Sequence, residues 1–219
     1  MIPVRALAKR ALGFQSFNSD DDQRQAIPDA ETIFDVGANV GQTAKTYRRL
    51  FPSSRIWSFE PFPASYESLR HALSDQRFHP ISVALSDQIG TSTLHVGVAS
   101  ITNSFLVRES DTGKSIEVQT DTVDHFCREH GIDRIDILKV DVEGAESRVF
   151  RGAQEMFSRD AIRSVFVEVY FDPVYEGMPL MWDLHAQLGR FGFRLHGLYS
   201  LFRGANGRLS FANALYLKQ

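Results

Sequence analysis

Thr32-Ile33-Phe34-Asp35-Val36-Gly37-Ala38-Asn39-Val40-Gly41 reads as one strand running into one turn. Residues 32–36 favour extended structure and stop at a glycine. Gly41 to Leu50 has helical composition, and Pro52 ends it. The alternation then repeats down the chain. Arg55 to Glu60 alternates as a strand, Ala64 to Leu73 reads as a helix behind Pro61 and Pro63, and His79 to Leu85 reads as a third strand closed by Ser86-Asp87. Ile135 to Asp141 is the next clear strand. One helix is expected from Gly144 to Phe157, with Val149, Phe150, Ala153, Met156 and Phe157 on its apolar face. Ile162 to Phe171 reads as a buried strand, Pro179 to Phe191 as a helix, and Phe193 to Leu198 with Phe211 to Leu217 as a final strand pair. Strand and helix in turn predict an α/β fold. Its sheet is mostly parallel and Rossmann-like, with helices on both faces and an antiparallel pair at the C-terminal end.

One segment interrupts this order. Thr91 to Val98, about Ser104 to Val107, and Ser115 to Thr120 read as short extra strands, followed by a helix over Thr122 to His130. This small β insertion, about residues 88–131, is expected either to cap a ligand crevice or to complete the sheet. At the other end, residues 1–26 read as an N-terminal extension and 27–219 as the domain. Arg5, Lys9 and Arg10 give the extension a weak basic character, which reads as a short helix on the domain or a frayed end rather than a membrane-surface segment.

The chain has 219 residues, 43% of them hydrophobic and 23% charged, which excludes a disordered or fibrous chain. With 24 basic and 27 acidic residues the net charge is −3, which argues against a nucleic-acid partner. No apolar run reaches the roughly 18 residues that a membrane-spanning helix needs. The single cysteine, Cys127, permits no internal disulfide and fits a reducing, cytoplasmic setting; on its expected helix it is read as buried and inert.

In a doubly wound sheet, ligands bind beyond the carboxyl ends of the strands, where the strand order reverses. The turn after the first strand is therefore the first candidate site. Gly37 lets a ligand approach the backbone, Asn39 tolerates left-handed geometry, and Gly41 allows close helix packing. The spacing G-x-x-x-G departs from the dinucleotide fingerprint G-x-G-x-x-G, and Asp35 just before it would repel a pyrophosphate. An acid there suits a cationic, amino-bearing ligand such as S-adenosylmethionine. Glu60, closing the second strand, is placed to accept both hydroxyls of a ribose. Further along, Lys139-Val140-Asp141-Val142-Glu143 ends the fourth strand on two acids, which strand alternation would send to the same side. Asp141 is the candidate general base. With Glu143 and Glu168 it would also make an oxygen site for a hard divalent ion, and helix capping is the plainer use of either acid. Phe171, Tyr175, Trp182, Tyr199 and Phe202 could stack on a sugar face.

These motifs resemble a known family. D-V-G-A-N-V-G at 35–41, F-E-P-F-P at 59–63, V-A-L-S-D-Q-I-G at 83–90 and L-K-V-D-V-E-G-A-E at 138–146 are similar to the FkbM family of methyltransferases. The resemblance covers about residues 32–170, with Ser82 standing where the family often has asparagine. It implies a class I methyltransferase fold, S-adenosylmethionine as cofactor, and O-methylation, often of hydroxyls on glycans or glycosylated natural products. It places the cofactor at Asp35, Gly37, Asn39, Gly41 and Glu60, puts Ala84 and Leu85 near the adenine, and puts Asp141 near the transferred methyl; it assigns no metal ligand. The expected partner is a small-molecule or glycan acceptor. The rivals are a metal-dependent catechol-type O-methyltransferase and a non-catalytic binding module. Asp35 and Glu60 argue against the module, since a scaffold needs neither.

Overall fold

The computed structural model describes residues 18–97, 103–106 and 113–219. A first helix, α1 (Ser19–Ala26), starts at Asn18, whose side chain accepts from the amides of Asp20 and Asp21. The β1 strand (Thr32–Val36), α2 (Gln42–Leu50), β2 (Arg55–Phe59), α3 (Pro63–Leu69) and β3 (Phe78–Ile81) follow. After them come β4 (Ala84–Leu85), β5 (Gly90–Val96), β6 (Lys114–Asp121), α4 (Val123–Glu129) and β7 (Ile135–Val140). The chain closes with α5 (Glu146–Arg151), α6 (Gln154–Ser158), β8 (Ile162–Tyr170), α7 (Met181–Gly189), β9 (Phe193–Arg203) and β10 (Leu209–Lys218). The main sheet runs β3-β2-β1-β7-β8-β10-β9; the first five strands are parallel, and β10 and β9 are antiparallel to their neighbours. The order reverses between β1 and β7, which makes the crevice beyond their carboxyl ends the natural ligand site.

Alternation along the buried strands feeds two cores. Phe34, Leu138, Val140, Val165 and Val167 pack with Phe126, Val149, Phe150, Phe157, Leu184 and Leu188 from α4 to α7. Ile33, Ile56 and Ile137 point the other way, onto Ala44, Tyr47, Leu50 and Leu69 of α2 and α3. Of the expected extension, residues 1–17 lie outside the described part. The remainder is tied to the domain: Tyr47 donates its hydroxyl to Gln23 at 3.0 Å, and Tyr199 donates to Asp22 at 2.6 Å.

Four expectations change. The third strand splits: β3 ends at Ile81, and Ala84–Leu85 instead joins a second, three-stranded sheet ordered β4-β6-β5. The single helix expected over 144–157 is two. Gly152 closes α5 where the chain packs so tightly that a Cβ would sit 2.0 Å from the carbonyl oxygen of Ser86, and α6 restarts on the carboxylate of Asp124, which accepts from the amides of Glu155 and Met156. The strand expected near Ser104 is a single bridge to His95, and Val107 lies outside the described residues. The final pair is longer than expected, because β9 continues to Arg203.

The register of β1 depends on one buried acid. Asp136 of β7, wholly buried, accepts from the amides of Glu31 and Thr32 at 2.8 and 3.0 Å and from Arg163 and Arg134 at 3.0 Å each. Removing it strands two amides and, among the described residues, unpairs Arg134 and leaves Arg163 only Asp29. Asp136→Ala should therefore cost about 3 kcal/mol of stability, read as a lower urea midpoint; a loss below about 1 kcal/mol would show that the carboxylate does not anchor the strand.

Candidate functional site

Strand register builds the site. In β1, Asp35 lies beside Ser58 of β2 and Lys139 of β7. One step beyond the last registered pairs come Glu60, Gly37, Asp141 and Glu168, a row crossing four strand ends. Gly37 has φ +76°, and a Cβ there would lie 1.8 Å from the carbonyl oxygen of Asp141. Only glycine brings the two strand ends this close. The amides of Gly37 and Ala38 both donate to the carbonyl of Phe59, which folds the turn over β2.

A cavity of about 560 Å³ opens above this row, the size of an ordinary small-molecule site. One half is walled by Gly37, Asn39, Glu60, Ala84 and Leu85, the other by Asp141, Glu143, Glu168, Tyr170 and Phe211. Leu94, Asn103, Ser104 and Phe105 roof it, so the described part of the insertion does border the crevice. Five of the seven expected cofactor positions lie on this wall; Asp35 and Gly41 do not. Asp35 is wholly buried beneath the turn, with Oδ1 3.1 Å from Lys139 Nζ and Oδ2 accepting from Ser58. It compensates the lysine rather than facing a ligand. Gly41, at φ +89°, is set against α3's end, where a Cβ would lie 2.4 Å from that of Ala72.

Glu60 is turned partly toward the protein. Its two oxygens accept from the amides of Asn39 and Phe62, each at 2.8 Å. Burial nevertheless lifts its carboxyl above the ordinary range. Each oxygen keeps a second lone pair for a ligand.

The motif alone assigns Lys139 no role, although a lysine inside the apolar run Ile135–Val140 signals a buried charge. Its ammonium donates to the carbonyls of Gly37 at 2.9 Å and Val36 at 3.3 Å, and lies 3.1 Å from Asp35 and 3.6 Å from Asp141. Burial disfavours its charge, but Asp35 and Asp141 outweigh burial and raise its pKa.

The carboxylates of Asp141, Glu143 and Glu168 come together, with one oxygen of each within 4.8 Å of the others. Strand alternation is not the cause, because β7 ends at Val140 and Glu143 sits in a turn at φ +54°. Tyr170 donates its one proton to Glu168 at 2.6 Å and lies 3.2 Å from Glu143, and Tyr175 donates to Glu143 at 2.8 Å. Burial, then the charge of Asp141, pushes the Glu168 carboxyl up to about 8. Glu146, buried beneath the turn and accepting from the amides of Val142 and Gly144, is pushed by burial to about 7. The sequence carries no sign that Tyr170 and Tyr175 bridge the acids; of the aromatics expected to meet a sugar, Tyr175 and Tyr199 are buried, whereas Phe202 and Trp182 are exposed. Cys127 is buried as expected, and burial pushes its thiol up to about 12.

The Methyltransferase FkbM domain matches residues 35–195. The chain is 30% identical over 165 residues to the 2-O-methyltransferase NoeI of Sinorhizobium fredii, covering 68% of this chain and 67% of that protein. It is 29% identical over 171 residues to the 31-O-demethyl-FK506 methyltransferase FkbM of Streptomyces tacrolimicus, covering 64% and 65%. These alignments span about two thirds of each relative. Among solved structures, the 1,6-didemethyltoxoflavin-N1-methyltransferase of Burkholderia thailandensis, with S-adenosylhomocysteine bound, superposes with a TM-score of 0.51 at 9% identity, covering 91% of this chain and 76% of that one. That likeness establishes the class I methyltransferase fold. The chain belongs to the FkbM methyltransferase family and is a methyltransferase whose methyl donor is S-adenosylmethionine.

Proposed function

We propose that the protein methylates a hydroxyl oxygen of a sugar or glycosylated natural product. The observation that carries this reading is the carboxylate-lined half of the cavity. Asp141 and Glu168 stand beside the strand-order switch, where hydrogen-bond acceptors meet an incoming hydroxyl. The names of NoeI and FkbM, which describe O-linked methyl positions on their own substrates, support an oxygen acceptor.

The residues present fit the methyl donor. Asn103, which lines the roof, uses its side-chain oxygen to accept from Gly97, and its Nδ2 is a buried donor with no partner among the described residues. Glu60 offers two acceptor lone pairs to a diol, Gly37 and Asn39 leave the turn backbone open, and Ala84 and Leu85 give an apolar surface for a heterocycle. When bound, the donor supplies an electrophilic methyl group. The chain's own work is to hold the acceptor oxygen in line with it, and positioning of this kind lowers a barrier by roughly 7 to 11 kcal/mol. In this reading Asp141 takes the hydroxyl proton, while Lys139 fixes the carboxylate. Asp35 acts through Lys139, and Gly41 through helix packing, rather than by contact. The clustering of Asp141, Glu143 and Glu168 favours one second reading, a divalent ion held through oxygen.

Three outcomes follow. Glu60→Ala should weaken S-adenosylhomocysteine binding by about 1.5 to 3 kcal/mol in calorimetry; unchanged affinity would remove Glu60 from the site. Asp141→Asn should keep cofactor binding while turnover drops by about 10²-fold or more. Running both proteins with and without chelator separates the readings. Loss of wild-type activity to chelator, restored by Mg²⁺, would favour the ion; indifference of turnover to substitution and chelator alike would leave positioning as the whole of catalysis. The third concerns pH. Carboxyls held above their ordinary range bind protons more tightly in the folded chain, so they stabilise it below pH about 4.5. That gain is lost as pH rises through about 7 for Glu146 and about 8 for Glu168. The melting temperature of the unliganded protein should thus fall across this window, and Glu168→Gln should flatten the fall. A slope unchanged by that substitution would show that Glu168 ionises as an ordinary carboxyl.

A further inference from the structure

The half of the sheet beyond the carboxylates carries an aromatic row. The β8–β10 register sets Phe211 opposite Tyr170 and Asn213 opposite Glu168, and the β10–β9 register sets Phe202 opposite Phe211 and Tyr199 opposite Asn213. Tyr170, Phe211 and Phe202 therefore lie side by side across three strands, on the face that bears Glu168. The Tyr170 and Phe211 rings are 5.8 Å apart, and the Phe211 and Phe202 rings are stacked at 4.5 Å and 16°. Tyr170 and Phe211 wall the cavity, and Tyr170 donates to Glu168. Phe202 lies one strand farther out and is 50% exposed.

A bulge puts Phe202 there. Between the pairs Tyr199–Asn213 and Phe202–Phe211, β9 carries one residue more than β10, and Ser200 takes a left-handed φ of +48°. Regular alternation would have set Leu201 opposite Phe211 and turned Phe202 to the other face. Bulges beside active sites commonly re-aim a side chain in this way, and a left-handed serine is a conformation that a sequence retains against its own preference. A cross-strand aromatic pair that only stabilised the hairpin would need no such residue.

The geometry points to a second acceptor subsite: Phe202, stacked on Phe211, carries a second saturated ring of an acceptor whose first ring presents its hydroxyl to Asp141 and Glu168. The strip spans two strand spacings, roughly 10 Å, so a single ring held at the carboxylates does not reach Phe202 while a two-ring acceptor does. The weakly positive C–H face of a pyranose or a carbocycle complements the negative face of an aromatic ring. This inference rests on the hydroxyl-acceptor reading above and adds that the acceptor has at least two units.

The test uses the full chain saturated with S-adenosylhomocysteine, carrying 4-fluorophenylalanine at position 202 or, as a control, at position 171. The ring of Phe171 packs on Trp182, and alternation puts it on the opposite face of the sheet. Methyl glucoside, methyl maltoside, methyl cellobioside and 4-cyclohexylcyclohexanol are titrated while the fluorine resonance is followed. The two-ring probes should shift the signal at 202 saturably, leave that at 171 in place, and exceed any effect of methyl glucoside. Phe202→Ala should weaken binding of the two-ring probes several-fold and leave methyl glucoside unchanged, with Phe202→Trp restoring it. A response to 4-cyclohexylcyclohexanol without one to the glycosides would keep the subsite and overturn the sugar reading. No shift at 202 with any two-ring probe, or an equal shift with the single ring, would overturn the subsite.

Discussion

A lysine ammonium buried where the strand order reverses holds this molecule's working end together. Lys139 Nζ touches two carbonyls of the glycine turn, the hidden carboxylate of Asp35 and the half-exposed carboxylate of Asp141. Burying an ammonium is costly unless its charge is matched and its donors are used. Asp35 supplies the match from the adjacent strand, and the carbonyls of Val36 and Gly37 take up the donors. The same contacts draw the ends of β1 and β7 into register, and the absence of a side chain at Gly37 allows the approach. Turn, crevice and the carboxylate of Asp141 are thereby fixed by one group.

From that junction the site divides by strand. On the β1–β2 side the polar equipment is sparse and mostly engaged with the backbone, as at Glu60. On the β7–β8 side acids accumulate and are bridged by tyrosine hydroxyls. Phenolic donors ease the approach of Glu143 and Glu168 to Asp141, because Tyr170 offers its proton to Glu168 and Tyr175 offers its proton to Glu143. The raised pKa of Glu168 records the repulsion that remains. A cavity with an open turn on one side and a proton-accepting wall on the other suits transfer to an oxygen.

The outer half of the sheet serves recognition rather than chemistry. Antiparallel β10 and β9 need no crossover helix on their face, so their side chains are free to continue the cavity wall toward solvent. The left-handed serine in β9 changes which residue of Leu201 and Phe202 does so.

Most of the architecture was legible in the residue pattern. Hydrophobic periodicity and Gly/Pro punctuation located β1, β2, β7, β8 and their helices to within a few residues, because a buried parallel strand must be apolar throughout and a turn beside it must accept unusual backbone angles. The positions of Gly37, Asn39, Glu60 and Asp141 at strand ends followed from the same pattern. What the pattern did not carry was pairing across distance. Read locally, Asp35 is a ligand contact; in the fold it is buried against Lys139, more than a hundred residues later in the chain. The helix over 144–157 gives way at Gly152, which packs against the carbonyl of Ser86 just past β4, and Ala84–Leu85 pairs with β6 inside the insertion rather than with the main sheet. Glu143 reached Asp141 through a left-handed turn, not through alternation. Local preference is written in neighbouring residues. Charge compensation and close approach depend on which distant residues share a surface, and only the folded chain brings those together.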